Sequence, residues 1–443
     1  MKPRGLLVAV VLLAVLGGVT WWSNKKQAAE AKKTTAGNAT KIISIPDNQF
    51  QEIRLQKAGS TVDLKRESGK WQIVEPKPLP ADQDAMSSLV STLGTLNADQ
   101  TIEEKATNLA PYGLNQPSLN VQVVKTDGKT ADLLIGDDTP TGSGTYAKLA
   151  NDPRVFTIAS YIKSSVDKTP NDLRDKRLLT FDSDTLTRVD LSAKGPTVEF
   201  GKNNQNEWEI LKPRPLRASG SQVDDLVAKL KDAKMDLTGT AEELQKAPAA
   251  FAAGTKVATV TVTDKSGDQT LEVRKDKDKN YYAKSSAVSG IYKVAADVGD
   301  SLDKSLEDFR NKKLFDFGFN DPSRVDAKNG AAANVTYTKS GDQWTANGKR
   351  MDNSSVQNLI DKLRDLTATK FADKGGGEPV FEARVVSNNG KRNELVTITK
   401  QGDTYFAQRE GEPSVYVLDQ QAVKDLQTAA SAIKEAPPEN KKK

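Results

Sequence analysis

The chain has 443 residues, with 64 Lys and Arg against 59 Asp and Glu for a net charge of +5, and it contains neither cysteine nor histidine. That removes disulfides, thiolate chemistry and lipoprotein-type acylation, together with Ser-His and Cys-His nucleophile pairs and most zinc sites. Basic and acidic residues are interspersed, the pattern of a mixed solvated surface, so no nucleic-acid partner is expected.

The first element runs from Gly5 to Trp22, 18 residues behind Lys2 and Arg4, in a chain whose mean hydropathy is −0.57. As a helix it spans about 27 Å, close to the ~30 Å hydrocarbon core of a bilayer, and Trp21 and Trp22 fall at the edge where indoles favour headgroups. Residues 1–22 therefore read as a retained single-pass anchor whose partner is inner-membrane lipid. A cleaved signal peptide, with Ala29-Glu30-Ala31 as its site, is the competing reading. It requires an apolar core longer than the usual ~7–15 residues and a site behind Trp21, Trp22, Lys25 and Lys26. The basic amino terminus favours a periplasmic body. Lys25, Lys26, Lys32 and Lys33 outnumber Lys2 and Arg4, so the positive-inside rule keeps a cytoplasmic body open. Residues 23–44 carry no apolar periodicity and read as a flexible linker.

Beyond the linker the chain repeats. Trp71, Trp208 and Trp344 are separated by 137 and 136 residues. Each is followed by a stripe at i, i+3, i+4, i+7 that lays four apolar side chains on one helix face: Met86, Leu89, Val90, Leu93; Val223, Leu226, Val227, Leu230; Val356, Leu359, Ile360, Leu363. Asp82, Ser221 and Ser354 stand at the N-cap positions this spacing implies, and Ser221 with Asp224 and Ser354 with Gln357 have capping-box spacing. Tyr146-Ala147-Lys148 recurs as Tyr282-Ala283-Lys284, and Leu173-Arg174-Asp175-Lys176 as Phe309-Arg310-Asn311-Lys312. The third unit has no Arg-Asp-Lys tail.

Within a unit, alternating segments at 53–55, 62–64 and 71–74 predict a three-stranded meander. Segments at 119–125, 130–135, 145–149 and 155–159 predict a second meander of four strands, followed by a short helix over 160–167. The fold class is α+β: a tandem array of small domains, each of antiparallel β meanders packed with one or two helices. The units are placed at 45–182, 183–319 and, shortened as an end unit, 320–436, with a disordered basic tail over 437–443.

The stretch Ile135 to Tyr146 holds adjacent carboxylates, Asp137 and Asp138, before a glycine-rich loop. It reads first as a hairpin turn and second as a cation or phosphate loop; it lacks the lysine of a P-loop. Asp276, Asp278 and Asn280 have calcium-loop spacing, but Tyr281 stands where Gly is needed and Ala287 where the terminal Glu is needed. No cofactor, metal or catalytic residue is assigned. The three tryptophans read as interior pegs, against the alternative of sugar-stacking platforms. Tyr146 and Tyr282 read as repeat anchors, and Arg174 and Arg310 as inter-domain pairing groups, with capture of an acidic partner as the alternative.

Several of these motifs carry a family resemblance. The anchor, Trp71-Gln72-Ile73-Val74-Glu75-Pro76, Ala81-Asp82 opening a helix, Tyr112-Gly113-Leu114-Asn115-Gln116-Pro117, Leu134-Ile135-Gly136-Asp137, Tyr146-Ala147 and Leu173-Arg174-Asp175-Lys176 resemble the bacterial family called domain of unknown function 4340. The resemblance is best over about 50–182, weaker in the second unit and faint in the third. It implies a membrane-anchored extracytoplasmic protein associated with gliding-motility-type ABC transport systems, and it brings no catalytic residues. The leading expectation is a non-catalytic envelope protein that acts as a scaffold for protein partners. A cell-wall glycan-binding module and a carboxylate-dependent hydrolase using Asp137 and Asp138 are the alternatives.

Overall fold

Period-two alternation places Ile53 and Leu55 of β1 (Phe50–Lys57) opposite Leu64 and Val62 of β2 (Ser60–Glu67), and all four side chains are buried. The computed structural model describes residues 40–319 and 322–437. The anchor, most of the linker and all but the first residue of the tail lie outside the described residues. Among the described residues no helix is long and apolar enough to cross a membrane.

The first repeat continues through β3 (Lys70–Glu75), β4 (Leu79–Pro80), α1 (Gln83–Gly94), β5 (Gln100–Glu103), β6 (Leu119–Lys125), β7 (Thr130–Asp138), β8 (Gly144–Leu149) and β9 (Val155–Ala159), then α2 (Ser160–Val166) and α3 (Pro170–Leu173). The two expected meanders are one sheet. β1 pairs β6 on the side away from β2, with Ile53 opposite Val123 and Leu55 opposite Val121, giving the order β4-β3-β2-β1-β6-β7-β8-β9-β5. The helical stripe Met86, Leu89, Val90 and Leu93 closes the same core. Ile42 and Ile43, placed by sequence in the linker, are buried in this core, because the Ile42 and Ile43 amides both donate to the Leu96 carbonyl.

The second repeat comprises β10 (Arg188–Ser192), β11 (Val198–Lys202), β12 (Trp208–Lys212), β13 (Leu216–Arg217), α4 (Gly220–Lys231), α5 (Ala241–Ala253), β14 (Thr255–Asp264), β15 (Gly267–Lys275), β16 (Tyr281–Ser285), β17 (Ile291–Val294), α6 (Ala296–Leu302) and α7 (Leu306–Phe309). The third comprises β18 (Arg324–Asn329), β19 (Val335–Ser340), β20 (Gln343–Ala346), β21 (Lys349–Arg350), α8 (Asn353–Asp365), β22 (Ala368–Ala372), β23 (Glu378–Ser387), β24 (Arg392–Gln401), β25 (Thr404–Arg409), β26 (Val415–Leu418) and α9 (Gln420–Ser431). The third sheet, β21-β20-β19-β18-β23-β24-β25-β26-β22, repeats the strand order of the first, nine strands each among the described residues. The second ends at β17, where α5 packs and the Asp236 amide donates to the Lys293 carbonyl at 2.8 Å.

Each sheet has its own hydrophobic cluster, beginning at Ile42, Leu178 and Leu314. The last two lie a few residues before the boundaries at 183 and 320 read from sequence. By contacts the chain divides into two units between Lys176 and Arg177, the second unit holding both the second and third sheets. Two caps differ from the sequence reading. Asp82 caps α1, its Oδ1 accepting from the Asp84 and Ala85 amides, but the N-caps of α4 and α8 are Ser219 and Asp352, two residues before Ser221 and Ser354. The expected capping boxes are absent because their members bond elsewhere: Asp224 accepts from the Trp208 indole N–H, Ser354 donates to Asp352, and Gln357 donates to Asp361.

Candidate functional site

The family-type motifs of the first repeat converge. Gly113 adopts φ +66°, and a Cβ there would lie 2.5 Å from the Asp137 carboxyl carbon. A Cβ on Gly136 would lie 2.1 Å from the Tyr112 carbonyl oxygen. The Tyr-Gly-Leu loop thus rests its Tyr112–Gly113 backbone directly on Gly136, an approach that only glycine at 136 permits, and the left-handed turn favours glycine at 113. The Tyr112 hydroxyl donates to Glu103 at 2.9 Å, which raises its pKa, and its ring meets the half-buried Tyr146 edge-on at 5.0 Å.

The neighbouring loop is a hairpin connection from β7 to β8, closed by the Thr139 amide on the Gly144 carbonyl at 2.8 Å. Asp138 Oδ1 accepts from buried Thr145 at 2.8 Å and from Lys163 at 3.2 Å, and these two donors hold its carboxyl below the usual carboxylate range. Asp276 likewise turns its Oδ1 onto the amides of Asp278 and Asn280, making the calcium-like spacing a turn between β15 and β16. Among the described residues no group of three or more Asp and Glu is placed to hold a metal.

Trp71, Trp208 and Trp344 are buried, 5%, 8% and 3% exposed, so none offers an open ring face for a sugar. Tyr282 is half-buried on β16. Burial first, and Asp276 second, raise its pKa. Arg174 and Arg310 are both buried, and their backbones bridge Ala81 and Ala218 at equivalent points of the first two repeats. Arg310 joins the second repeat to the third: it donates to Glu307 at 2.8 Å and Ser414 at 2.9 Å and lies 3.3 Å from the Phe371 ring centroid.

Around that contact lies a partly buried ionic network that composition does not reveal. Arg217 of β13 pairs with Asp316, donates to the Lys313 carbonyl at 2.8 Å and the Tyr416 hydroxyl at 3.2 Å, and approaches Glu412 at 3.5 Å. Arg409 donates to Glu412 at 2.6 Å and Glu394 at 3.0 Å, Tyr416 donates to Glu412 at 2.8 Å, and Arg392 reaches back to Glu207. Burial raises the Glu394 carboxyl, and Arg409 only partly offsets it.

Burial also pushes the Tyr416 phenol up to about 12, with Arg217 opposing. An unfolded tyrosine releases its proton near pH ~10. The folded form therefore keeps a stability contribution that is whole below pH ~10 and is lost as pH rises through about 12, on the order of 2–3 kcal/mol. Denaturation at pH ~9 and ~12 is expected to show a shallower alkaline loss in Tyr416→Phe than in the natural chain; equal slopes would place that phenol in contact with solvent.

Beside this network a polar cleft of about 440 Å³ opens within the second unit, lined by Trp208, Arg217, Ala218, Gly220, Asn311 and Asp316 among others. Its volume lies in the range of small-molecule pockets. Sequence reading pointed to no residue of this cleft as a ligand contact except Trp208, and that only as a stacking platform. A glycine at the first helical position of α4 was the available signal.

A family model described as Domain of unknown function (DUF4340) matches residues 71–216 and again residues 208–380, well over half of the chain, and each match begins at a tryptophan strand. No curated protein matches the chain, and no solved structure does.

Proposed function

This chain belongs to the family described as Domain of unknown function (DUF4340), and from that premise we propose that it is a non-catalytic scaffold. In this reading it is held at the inner membrane by residues 1–22, with its body in the periplasm, as an auxiliary component of an ABC-type transport or gliding-type envelope system. One observation carries the reading: the motif residues serve packing. Trp71, Trp208 and Trp344 fill cores, Gly136 lets two backbones touch, Gly113 makes the left-handed turn above it, and Arg310 locks the second repeat to the third. A chain whose recurrent residues build the same kind of sheet in tandem offers repeated surfaces to partners. The apolar run from Gly5 to Trp22 supports the tether.

Two measurements test it. Alkaline phosphatase fused after Lys443 is expected to be active in cells, and purification from detergent-solubilised membranes is expected to bring down an ATPase and a permease in fixed proportion. A green fluorescent protein fusion that lights the cytoplasm, or an enzymatic activity lost in Asp137→Asn at unchanged melting temperature, would overturn the reading.

A further inference from the structure

The three repeats differ in the side chains that bind the tryptophan strand to its own helix. In the first repeat the residue opening α1 is Gln83. Its Oε1 accepts from the Trp71 amide at 2.9 Å, and its Nε2 donates to the Trp71 carbonyl at 3.0 Å and the Ala81 carbonyl at 2.8 Å. In the third repeat the residue opening α8 is Asn353, whose Oδ1 accepts from the Trp344 amide at 3.0 Å. There Gln343 supplies the donor, to the Trp344 carbonyl and the Met351 carbonyl, both at 2.8 Å. In both repeats primary carboxamides clip the tryptophan backbone and the carbonyl just before the helix: Gln83 alone in the first, Asn353 and Gln343 together in the third.

In the second repeat the corresponding residue is Gly220, which has no side chain to offer. A Cβ placed on it would meet nothing within 4 Å, and the cleft of about 440 Å³ lies there, bounded by Trp208 and Ala218, the equivalents of Trp71 and Ala81. Three nearby amides are engaged elsewhere: Asn203 donates to Glu207 and Glu209, Asn311 to Asp316, and Gln222 accepts from Lys304. Among the described residues no side chain bonds the Trp208 backbone; its indole N–H donates to Asp224 at 2.8 Å.

We propose that this cleft is a binding site for a primary carboxamide, held by the Trp208 N–H, the Trp208 carbonyl and the Ala218 carbonyl as Gln83 is held in the first repeat. The chemistry is selective. A primary amide has an acceptor oxygen and two N–H donors on one planar head. A secondary trans amide turns its N–H away from its carbonyl and cannot serve both tryptophan groups. A carboxylate has no proton for the carbonyls and would face Asp224 and Asp316 across the cleft. The group is either the side chain of Asn or Gln in a partner polypeptide or a small free amide. The inference stands apart from the tether and the transporter association proposed above.

The test uses the full chain labelled with 15N at tryptophan, which yields five backbone signals. Acetamide is expected to move the Trp208 amide signal saturably, while acetate and N-methylacetamide leave it in place. Gly220→Gln, which restores the internal clip, is expected to weaken acetamide binding at least about tenfold, the factor carried by one or two net hydrogen bonds. Gly220→Ala should still bind. If Gly220→Gln shifts the Trp71 and Trp344 signals, Gly220→Asn combined with Glu207→Gln, the residue pair of the third repeat, takes its place. A blocked tripeptide centred on Gln that binds at least tenfold more tightly than acetamide identifies a polypeptide source; equal affinity identifies a small amide. Equal response to acetate or N-methylacetamide, or an undiminished shift in a folded Gly220→Gln chain, overturns the proposal.

Discussion

Arg217→Met is expected to destabilise the second unit by about 3 kcal/mol, near the lower end of the loss seen when one partner of a buried ion pair is removed. The arginine side chain is 18% exposed and satisfies four groups at once: Asp316, Glu412, the Lys313 carbonyl and the Tyr416 hydroxyl. Methionine matches much of its apolar length but leaves those acceptors facing one another. Asp316 is 28% exposed and partly solvated, which keeps the loss from the top of the range. Arg217→Lys keeps the charge and loses the planar fork, so an intermediate loss is expected. Asp316→Asn added to Arg217→Met should recover part of it, because the two changes share one interaction. Hydrogen exchange of peptides from β12, β13 and β24–β26 reads the effect. Unchanged protection there would mean that the arginine is only a surface charge.

That network also marks where sequence reading stops. Local patterns were legible: the tryptophan spacing, the i, i+3, i+4, i+7 stripes and the hairpin turns each arise from neighbours within a few residues, and the strands and helices formed where those patterns predicted. Pairing between distant segments was not. Nothing local in Phe50–Lys57 says that its free edge will meet Leu119–Lys125, so one sheet was read as two meanders. Arg217, Glu394 and Glu412 were read as members of a mixed solvated surface, because a charge string does not reveal which carboxylate folding brings against which guanidinium. Helix α5 was missed for another reason. Its alanine-rich face lacks a strong apolar stripe and contains Pro248, although Thr240 and Glu243 form a reciprocal capping box that the spacing alone announced. The cleft at Gly220 needed both levels, since the glycine is visible in the sequence and its meaning appears only when Gln83 and Asn353 are seen holding the equivalent tryptophan strands.

Replacing any one of the three tryptophans by alanine is expected to cost its own repeat about 3–5 kcal/mol, the range for deleting a buried aromatic side chain and leaving a cavity. The structure ranks the accompanying losses. Trp208 donates to Asp224 at 2.8 Å and carries Lys202 over its ring at 5.0 Å; Trp71 carries Arg66 at 5.9 Å. Asp224 is exposed, so water replaces the lost indole N–H and that bond adds no more than about 1 kcal/mol. The apolar area therefore dominates, and phenylalanine, which refills most of it, should restore more than half of the loss at each site. Because the chain holds several cores, one transition midpoint does not report one repeat. Exchange protection of the strand following each tryptophan strand's hairpin partner, read peptide by peptide, is the suitable measurement. A loss below about 1 kcal/mol in all three alanine variants would show that the indoles are not interior pegs, and the account of the repeats as packing-driven would fall with them.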